Sequence, residues 1–248
     1  MNNQIKKHFD RSISTYKKAA VVQKRVAADC CARIPEGYYP RVLEVGAGGG
    51  LLAEYFLQSH MDFEIYAAVD ISARMLKLVP RDRVIPVQAD GENAPFKPGC
   101  FDLLLSSSTM QWYRKAPASI LDNIGMLRRG GFFSLAIFVQ GTFKQMARVA
   151  AATGFGSLYP LPAAQSLVDC LEGAGQSHES ALEEHTLYFS SVRQFLHNHK
   201  RTGATYTRPE AGFGKRVYKD FSRMYEDTYA EEKGVPVTYR VLYLWGRR

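Results

Sequence analysis

Four glycines fall within the five residues Gly46-Ala47-Gly48-Gly49-Gly50, directly behind the apolar run Val42-Leu43-Glu44-Val45. A turn of this composition lets main-chain amides approach a ligand closely, because no Cβ stands in the way. The helix expected from Leu51 onward adds its unpaired N–H groups. Asp70 stands twenty residues after Gly50, at the end of Ile65-Tyr66-Ala67-Ala68-Val69. A carboxylate there can accept hydrogen bonds from both hydroxyls of a ribose; the competing reading is a turn aspartate capping the next helix. Asp90, followed by Gly91, ends a third apolar run, Val84-Ile85-Pro86-Val87-Gln88, where an adenine amine can be met. The glycine turn and Asp70 alone also suit a dinucleotide enzyme, so the later residues decide which ligand is held. Elsewhere, Cys30, Cys31, Cys100 and Cys170 form no Cys-x-x-Cys pair, which suggests reduced, structural cysteines and no metal. No Ser-His-Asp or Cys-His set for nucleophilic catalysis is evident.

These acids must be presented at strand ends. Short apolar runs at Val42–Val45, Ile65–Val69, Val84–Gln88, Phe101–Leu105 and Phe132–Phe138 alternate with amphipathic stretches, and Gly130-Gly131 is expected to turn into the fifth run. Continuous apolar strands alternating with helices argue for an α/β fold, a mostly parallel sheet covered on both faces. Two later strands, ending in His185–Phe189 and running over Val237–Leu244, bring the count to seven. Helices are expected over 2–34 in two pieces, interrupted at Asp10-Arg11-Ser12 and resuming as Ala19–Ile34, and again over Ala73–Leu78 behind a Ser72 cap, Ser119–Leu127, Ala163–Leu171, Ser190–Arg201 and Pro209–Tyr229. The expected organisation is a single domain over 1–248: an N-terminal helical cap (1–39), a nucleotide-binding core (40–140), the rest of the sheet (141–189), a helical insertion over its active edge (190–232) and a last strand (233–248).

The chain has 248 residues, ample for one core with an appendage, and its net charge of +8 is unevenly placed. Residues 1–25 carry seven Lys/Arg against one acid, and residues 193–223 carry eight against two. The remainder is mildly acidic. The two basic segments are either solvated helix faces or a site for an acidic partner: nucleic acid, a phosphorylated metabolite or an acidic carrier protein. No apolar run is long enough to cross a membrane, and the polar N-terminus carries no signal region, so a cytoplasmic protein is expected.

The spaced set as a whole resembles the class I S-adenosylmethionine-dependent methyltransferases. It comprises Glu44-x-Gly46-x-Gly48-x-Gly50, Asp70, Gln88-Ala89-Asp90-Gly91-Glu92-Asn93-Ala94-Pro95-Phe96, Phe101-Asp102-Leu103 and Leu127-Arg128-Arg129-Gly130-Gly131. Arg129 stands where that family commonly has proline. The resemblance implies a Rossmann-like sheet and S-adenosylmethionine as cofactor. By position it assigns Glu44 to orienting the glycine turn of Gly46, Gly48 and Gly50, Asp70 to the ribose, Asp90 and Gly91 to the adenine, Ile71 or Met75 to packing the adenine face, and Ser106 and Ser107 to the region of the amino group and sulfonium. Met75 as plain core filling is the equal alternative.

Further pieces resemble the malonyl-[acyl-carrier protein] O-methyltransferases of biotin synthesis: Phe9-Asp10-Arg11-Ser12 with Tyr16 and Gln23, then Met110-Gln111-Trp112, then Lys200-Arg201-Thr202-Gly203-Ala204. Gly48-Gly49-Gly50 departs from the usual Gly-Thr-Gly, and Ser108 from a commoner Asn. This resemblance implies methylation of the free carboxylate of a malonyl thioester on acyl carrier protein, which removes a charge that apolar tunnels of chain-elongating enzymes admit only at high cost. It implies a further cofactor-side role for Gln111 and Trp112. A carboxylate with a pKa near ~4 is already ionised at neutral pH and needs no general base. Tyr16 with Lys200 or Arg201 are the candidate aligners, His197 and His199 standing behind them, while Arg216 and Lys219 belong to the docking surface. Other readings stay open: a methyltransferase of a small free acid or quinone-type ring, a cofactor-binding protein without turnover, or a basic nucleic-acid-binding module. The last lacks a zinc pattern or an aromatic RNA platform. A monomer is expected.

Overall fold

The computed structural model describes residues 2–156, 158–204 and 214–248. Among them seven strands form one sheet: β1 (Arg41–Val45), β2 (Ile65–Asp70), β3 (Ile85–Gln88), β4 (Phe101–Ser107), β5 (Leu127–Phe138), β6 (Glu179–Phe189) and β7 (Val235–Arg247). Their order is β3-β2-β1-β4-β5-β7-β6. The first five are parallel, and β7 runs antiparallel to both β5 and β6. The chain winds outward from β1 toward β3 and then restarts at β4 in the other direction. The crevice between the C-terminal ends of β1 and β4 is therefore the place where an open α/β sheet binds ligands.

Strand alternation sends side chains to two separate cores. On one face Val42, Tyr66, Leu103 and Leu105 pack with α3 (Val21–Cys31) and α4 (Leu51–Leu57). On the other, Leu43, Val45, Val69 and Leu104 pack with α5 (Ala116–Gly125) and α7 (Ala164–Gly173). Burial on both faces explains why the central strands read as unbroken apolar runs.

Several elements differ from the sequence expectation. Asp10-Arg11-Ser12 interrupts nothing: α1 spans Asn2–Ser12, and the break falls after it, where Ser12 Oγ turns back to Phe9 O at 2.9 Å. The expected helix Ala19–Ile34 is divided at Ala20 between α2 (Tyr16–Ala19) and α3, because Asn198 Nδ2 donates to Ala19 O at 3.1 Å. A distant side chain thus overrides a sequence free of Gly and Pro. Ala73–Leu78 tightens to a 3₁₀ turn at Met75–Leu78, although Ser72 Oγ does accept from Met75 N at 3.0 Å. α5 starts earlier than expected, with proline in its first turn. Gly130-Gly131 lies inside β5 and not in a turn before it. The register jumps between the Phe101–Leu127 and Leu103–Phe132 pairs, and the extra residues bulge around Gly130 at φ 76°. α6 (Lys144–Thr153) has no sequence counterpart, since Phe143 at its N-cap offers no capping side chain. β6 and β7 are longer than expected because polar residues alternate along the edge strand β6.

α8 (Val192–Arg201) and α9 (Lys215–Tyr229) lie between β6 and β7; residues 209–213 of the expected Pro209–Tyr229 helix lie outside the described residues. Thr15 Oγ1 donates to Arg201 O at 2.8 Å. Gly203 has φ 72°, and a Cβ there would stand 2.6 Å from Ser12 Oγ and 3.0 Å from His8 O. The turn after α8 therefore seats directly on α1, and the two helical segments meet over the C-terminal strand ends. Among the described residues no helix is long and apolar enough to cross a membrane.

Candidate active site

The glycine turn hangs on the end of β2. Gly46 N and Ala47 N donate to Val69 O at 2.7 and 2.9 Å. Gly48 N then donates to Asp70 Oδ2 at 2.8 Å, and Ser72 N to Asp70 Oδ1 at 2.7 Å. Each carboxylate oxygen keeps a further lone pair for a ligand hydroxyl. Burial pushes the Asp70 carboxyl up to about 6, against the lowering effect of the Ser72 and Gly48 amides; Asp10 nearby adds to the rise. Glycine is required at two points of the cradle. A Cβ on Gly46 would lie 2.1 Å from Thr109 Cγ2, and one on Gly91 would lie 2.6 Å from Val45 Cγ1 and 2.7 Å from the Tyr113 hydroxyl.

A first cavity opens above this cradle. Gly46, Gly48, Asp70, Ile71, Met75, Asp90 and Gly91 all stand in its wall, as the sequence suggested. The end of β4 adds Ser107, Ser108 and Thr109, while Tyr16 and Trp112 close it with Ile5 and Phe9 of α1. Phe9 packs edge-on against Trp112 with ring centroids 6.2 Å apart.

A second cavity of about 1020 Å³ lies between α1, α2, α8 and the segments after β5. It shares Phe9, Tyr16, Ser108 and Trp112 with the first, so the two meet at one wall. Lys200 and Arg201 line only the second cavity, together with the aromatic surfaces of Phe138, Phe143, Tyr159 and Tyr239. His199 sits on the inward side of α8, 5.0 Å from the Phe143 ring. Burial lowers its pKa to about 4, so the imidazole is neutral and does not serve as a cation. His197 lines the same cavity and is exposed. Tyr16 stays protonated, because burial and the neighbouring Asp70 and Glu44 charges push its pKa up.

Four of the expected residues stand outside the wall of the first cavity. Glu44 lines neither cavity: it faces the α3 side of the sheet, where the Tyr66 hydroxyl donates to its Oε2 at 2.9 Å and burial raises its carboxyl to about 7. Ser106 is fully buried in the ladder, its Oγ donating to Val45 O at 2.8 Å, and the ligand-facing serines are the two that follow it. Gly50 also leaves the wall. It opens α4 with φ 77°, and a Cβ there would stand 3.0 Å from Val79 Cα, so its smallness serves helix–loop packing. Gln111 lines the second cavity and not the first. The sequence reading also missed Ile5, Glu92, Thr109 and Tyr113, which line the first cavity. The detectable signal was the run Ser106-Ser107-Ser108-Thr109, too polar for a strand interior, in which Ser108 takes a left-handed φ of 58°.

Known proteins place this architecture. Residues 43–135 match the family model described as a methyltransferase domain. Over 99% of its length the chain is 31% identical to a malonyl-[acyl-carrier protein] O-methyltransferase of Geobacter sulfurreducens, covering 98% of that protein. The chain belongs to the malonyl-[acyl-carrier protein] O-methyltransferase family. A relative of the same description from Halalkalibacterium halodurans is 26% identical, covering 97% of this chain and 96% of its own. The crystal structure of YcgJ from Bacillus subtilis superposes with a TM-score of 0.63 at 14% identity, covering 90% of this chain and 98% of YcgJ, which shows the shared Rossmann-like fold.

Proposed function

We propose that this enzyme transfers the methyl group of S-adenosylmethionine to the free carboxylate of a malonyl thioester carried on acyl carrier protein. The observation that carries this reading is the single wall of Phe9, Tyr16, Ser108 and Trp112 shared by the two cavities, with Lys200 and Arg201 on the acceptor side alone. The chain's residues fit the cofactor. Of the residues lining the first cavity, Asp70 would hold its ribose, Asp90 and Gly91 its adenine, Ile71 and Met75 the flat faces of the base, and the glycine turn its amino-acid end. Bound there, S-adenosylmethionine supplies a methyl carbon made electrophilic by a positively charged sulfur.

The protein's own contribution is alignment. Residues of the second cavity would hold the acceptor with one carboxylate oxygen toward the wall shared with the first cavity, and an acceptor already ionised would need no proton removed. Orientation and exclusion of water supply the rate enhancement. The Tyr16 hydroxyl, held protonated, donates to the acceptor carboxylate. The Arg201 guanidinium offers that carboxylate two parallel hydrogen bonds, and Lys200 offers a point charge. An acceptor of high pKa would require a base, and burial makes His199 too weak a base for that chemistry at neutral pH.

The basic segments fit the carrier. Lys7, Arg11, Arg193, Lys200, Arg216 and Lys219 are exposed on α1, α8 and α9, and α1 touches the turn after α8 through Gly203. A positive surface beside the acceptor cavity steers an acidic protein toward it. The reading is completed by a monomer in the cytoplasm. Reversing two charges, Arg216→Glu with Lys219→Glu, should lower kcat/KM for malonyl carrier protein about tenfold or more at low salt. Methylation of a free malonyl thioester should change less than about twofold. Steady-state methylation of both substrates measures this; equal loss on both would reject the docking role.

A further inference from the structure

Gln111 is 3% exposed and lies on the 3₁₀ turn Met110–Trp112, beside the wall where the cavities meet. Its Nε2 donates to Ser108 O at 2.7 Å, which pins the left-handed Ser108. Turning the amide over would set Oε1 against that carbonyl, so the bond fixes which atom faces inward. Among the described residues Oε1 is buried without a hydrogen-bond partner, a state it shares only with Ser222 Oγ. A buried acceptor left unpaired bears the full cost of its lost hydration. This one belongs to a side chain that lines the acceptor cavity and not the cofactor cavity.

An orphan acceptor calls for a donor. The cofactor's N–H and O–H groups belong to the other cavity. A malonyl thioester offers a carboxylate and one thioester carbonyl, all acceptors. Donors appear only in the tether, and the first of them is the amide N–H two carbons beyond the sulfur. Ser108, bonded to Gln111, and Trp112, its neighbour, both stand in the shared wall where the carboxylate must lie. The tether amide nitrogen stands about six bonds from the carboxylate carbon, so an acyl chain running from the shared wall along the second cavity would carry it past Gln111. Resting on the malonyl thioester reading, we propose that Gln111 Oε1 accepts the hydrogen bond of the tether amide nearest the thioester. Gln111 is then a specificity-determining residue that selects acyl groups on pantetheine-type thiols over free dicarboxylic acids.

The test pairs substrate and protein changes. The wild-type enzyme is assayed with the malonyl thioester of N-acetylcysteamine and with its isostere in which an ester oxygen replaces the amide N–H. The isostere faces Oε1 with a second acceptor, and kcat/KM should fall at least about tenfold. In Gln111→Met that ratio should shrink below about threefold, while the S-adenosylmethionine dissociation constant stays within about twofold. Equal turnover of the two thioesters by the wild type overturns the assignment, even if the variant does not fold. So does a variant that discriminates as the wild type does, or one whose defect is confined to cofactor affinity. Failure to methylate malonyl carrier protein at all would instead remove the function on which the assignment rests.

Discussion

Asp70→Ala should weaken S-adenosylmethionine binding by about 10²- to 10⁴-fold, because two charge-assisted hydrogen bonds to the ribose are lost at about 1.5–3 kcal/mol each. The loss has a second source. Gly48 N and Ser72 N both donate to this carboxylate, so its removal unties the glycine turn from the end of β2. Asp70→Asn keeps the shape and one acceptor oxygen and should fall between the two. Isothermal titration separates the three proteins. The same carboxyl gives the wild type a pH signature. With its pKa raised to about 6, Asp70 is ionised above that pH and binds at full strength there. Below it, affinity should fall about tenfold per pH unit as the carboxyl protonates. For folding the sign is opposite: burial disfavours the ion, so this group's own contribution to stability is largest at low pH and is lost as pH rises through about 6. Tight binding by the alanine variant, or binding in the wild type that is flat from pH 7 to 5, would place the ribose elsewhere.

Gly46→Ala should lower kcat/KM about 100-fold and the melting temperature by several degrees. At φ 78° any side chain is strained, costing about 1–2 kcal/mol. The new Cβ also meets Thr109 at 2.1 Å, and overpacking of that kind costs about 1–3 kcal/mol more. For a chain of this size each kcal/mol moves the midpoint about 2–4 °C. Activity suffers more than stability because Thr109 cannot retreat alone. Its Oγ1 donates to Gly46 O at 3.1 Å, and it sits between Ser108 and the turn bearing Trp112, which form the shared wall. Gly99 isolates the two effects. It has a similar φ of 75°, but its Cβ would point into open space. Gly99→Ala should therefore show the backbone strain without the loss of turnover. Thermal melts and methylation kinetics on the two variants decide whether the contact or the dihedral matters.

How much of this was legible in the sequence depended on whether a residue's neighbours along the chain or across the fold decide its place. Asp70 ends a run buried on both faces, which must stop at the sheet's rim, and Asp90 follows the edge strand β3 at the same rim, so strand ends alone bring both acids to the first cavity. Glu44 lies within such a run. Alternation carries it to the face opposite Leu43 and Val45, beneath the sheet and against Tyr66, and the motif spacing does not reveal which face faces the ligand. Ser106, one position before the strand ends, is turned into the ladder for the same reason. Gln111 and Trp112 are neighbours on a 3₁₀ turn that points them differently, Trp112 into both cavities and Gln111 into one. Ile5 and Phe9 reach the wall of the first cavity because α1 packs on Trp112 and on the Gly203 turn. Contacts between residues so far apart in the chain leave no local pattern. The division of α2 from α3 by Asn198 is another instance.

The most direct measurement is transfer of a labelled methyl group from S-adenosylmethionine to malonyl carrier protein, with mass spectrometry to locate it. The expected product carries one added methyl on the terminal carboxyl oxygen, and acetyl carrier protein, which lacks that carboxylate, takes up no label. A methyl found on carbon, on the carrier polypeptide or on acetyl carrier protein, or the absence of any transfer, would contradict a site built to align a carboxylate with a sulfonium methyl.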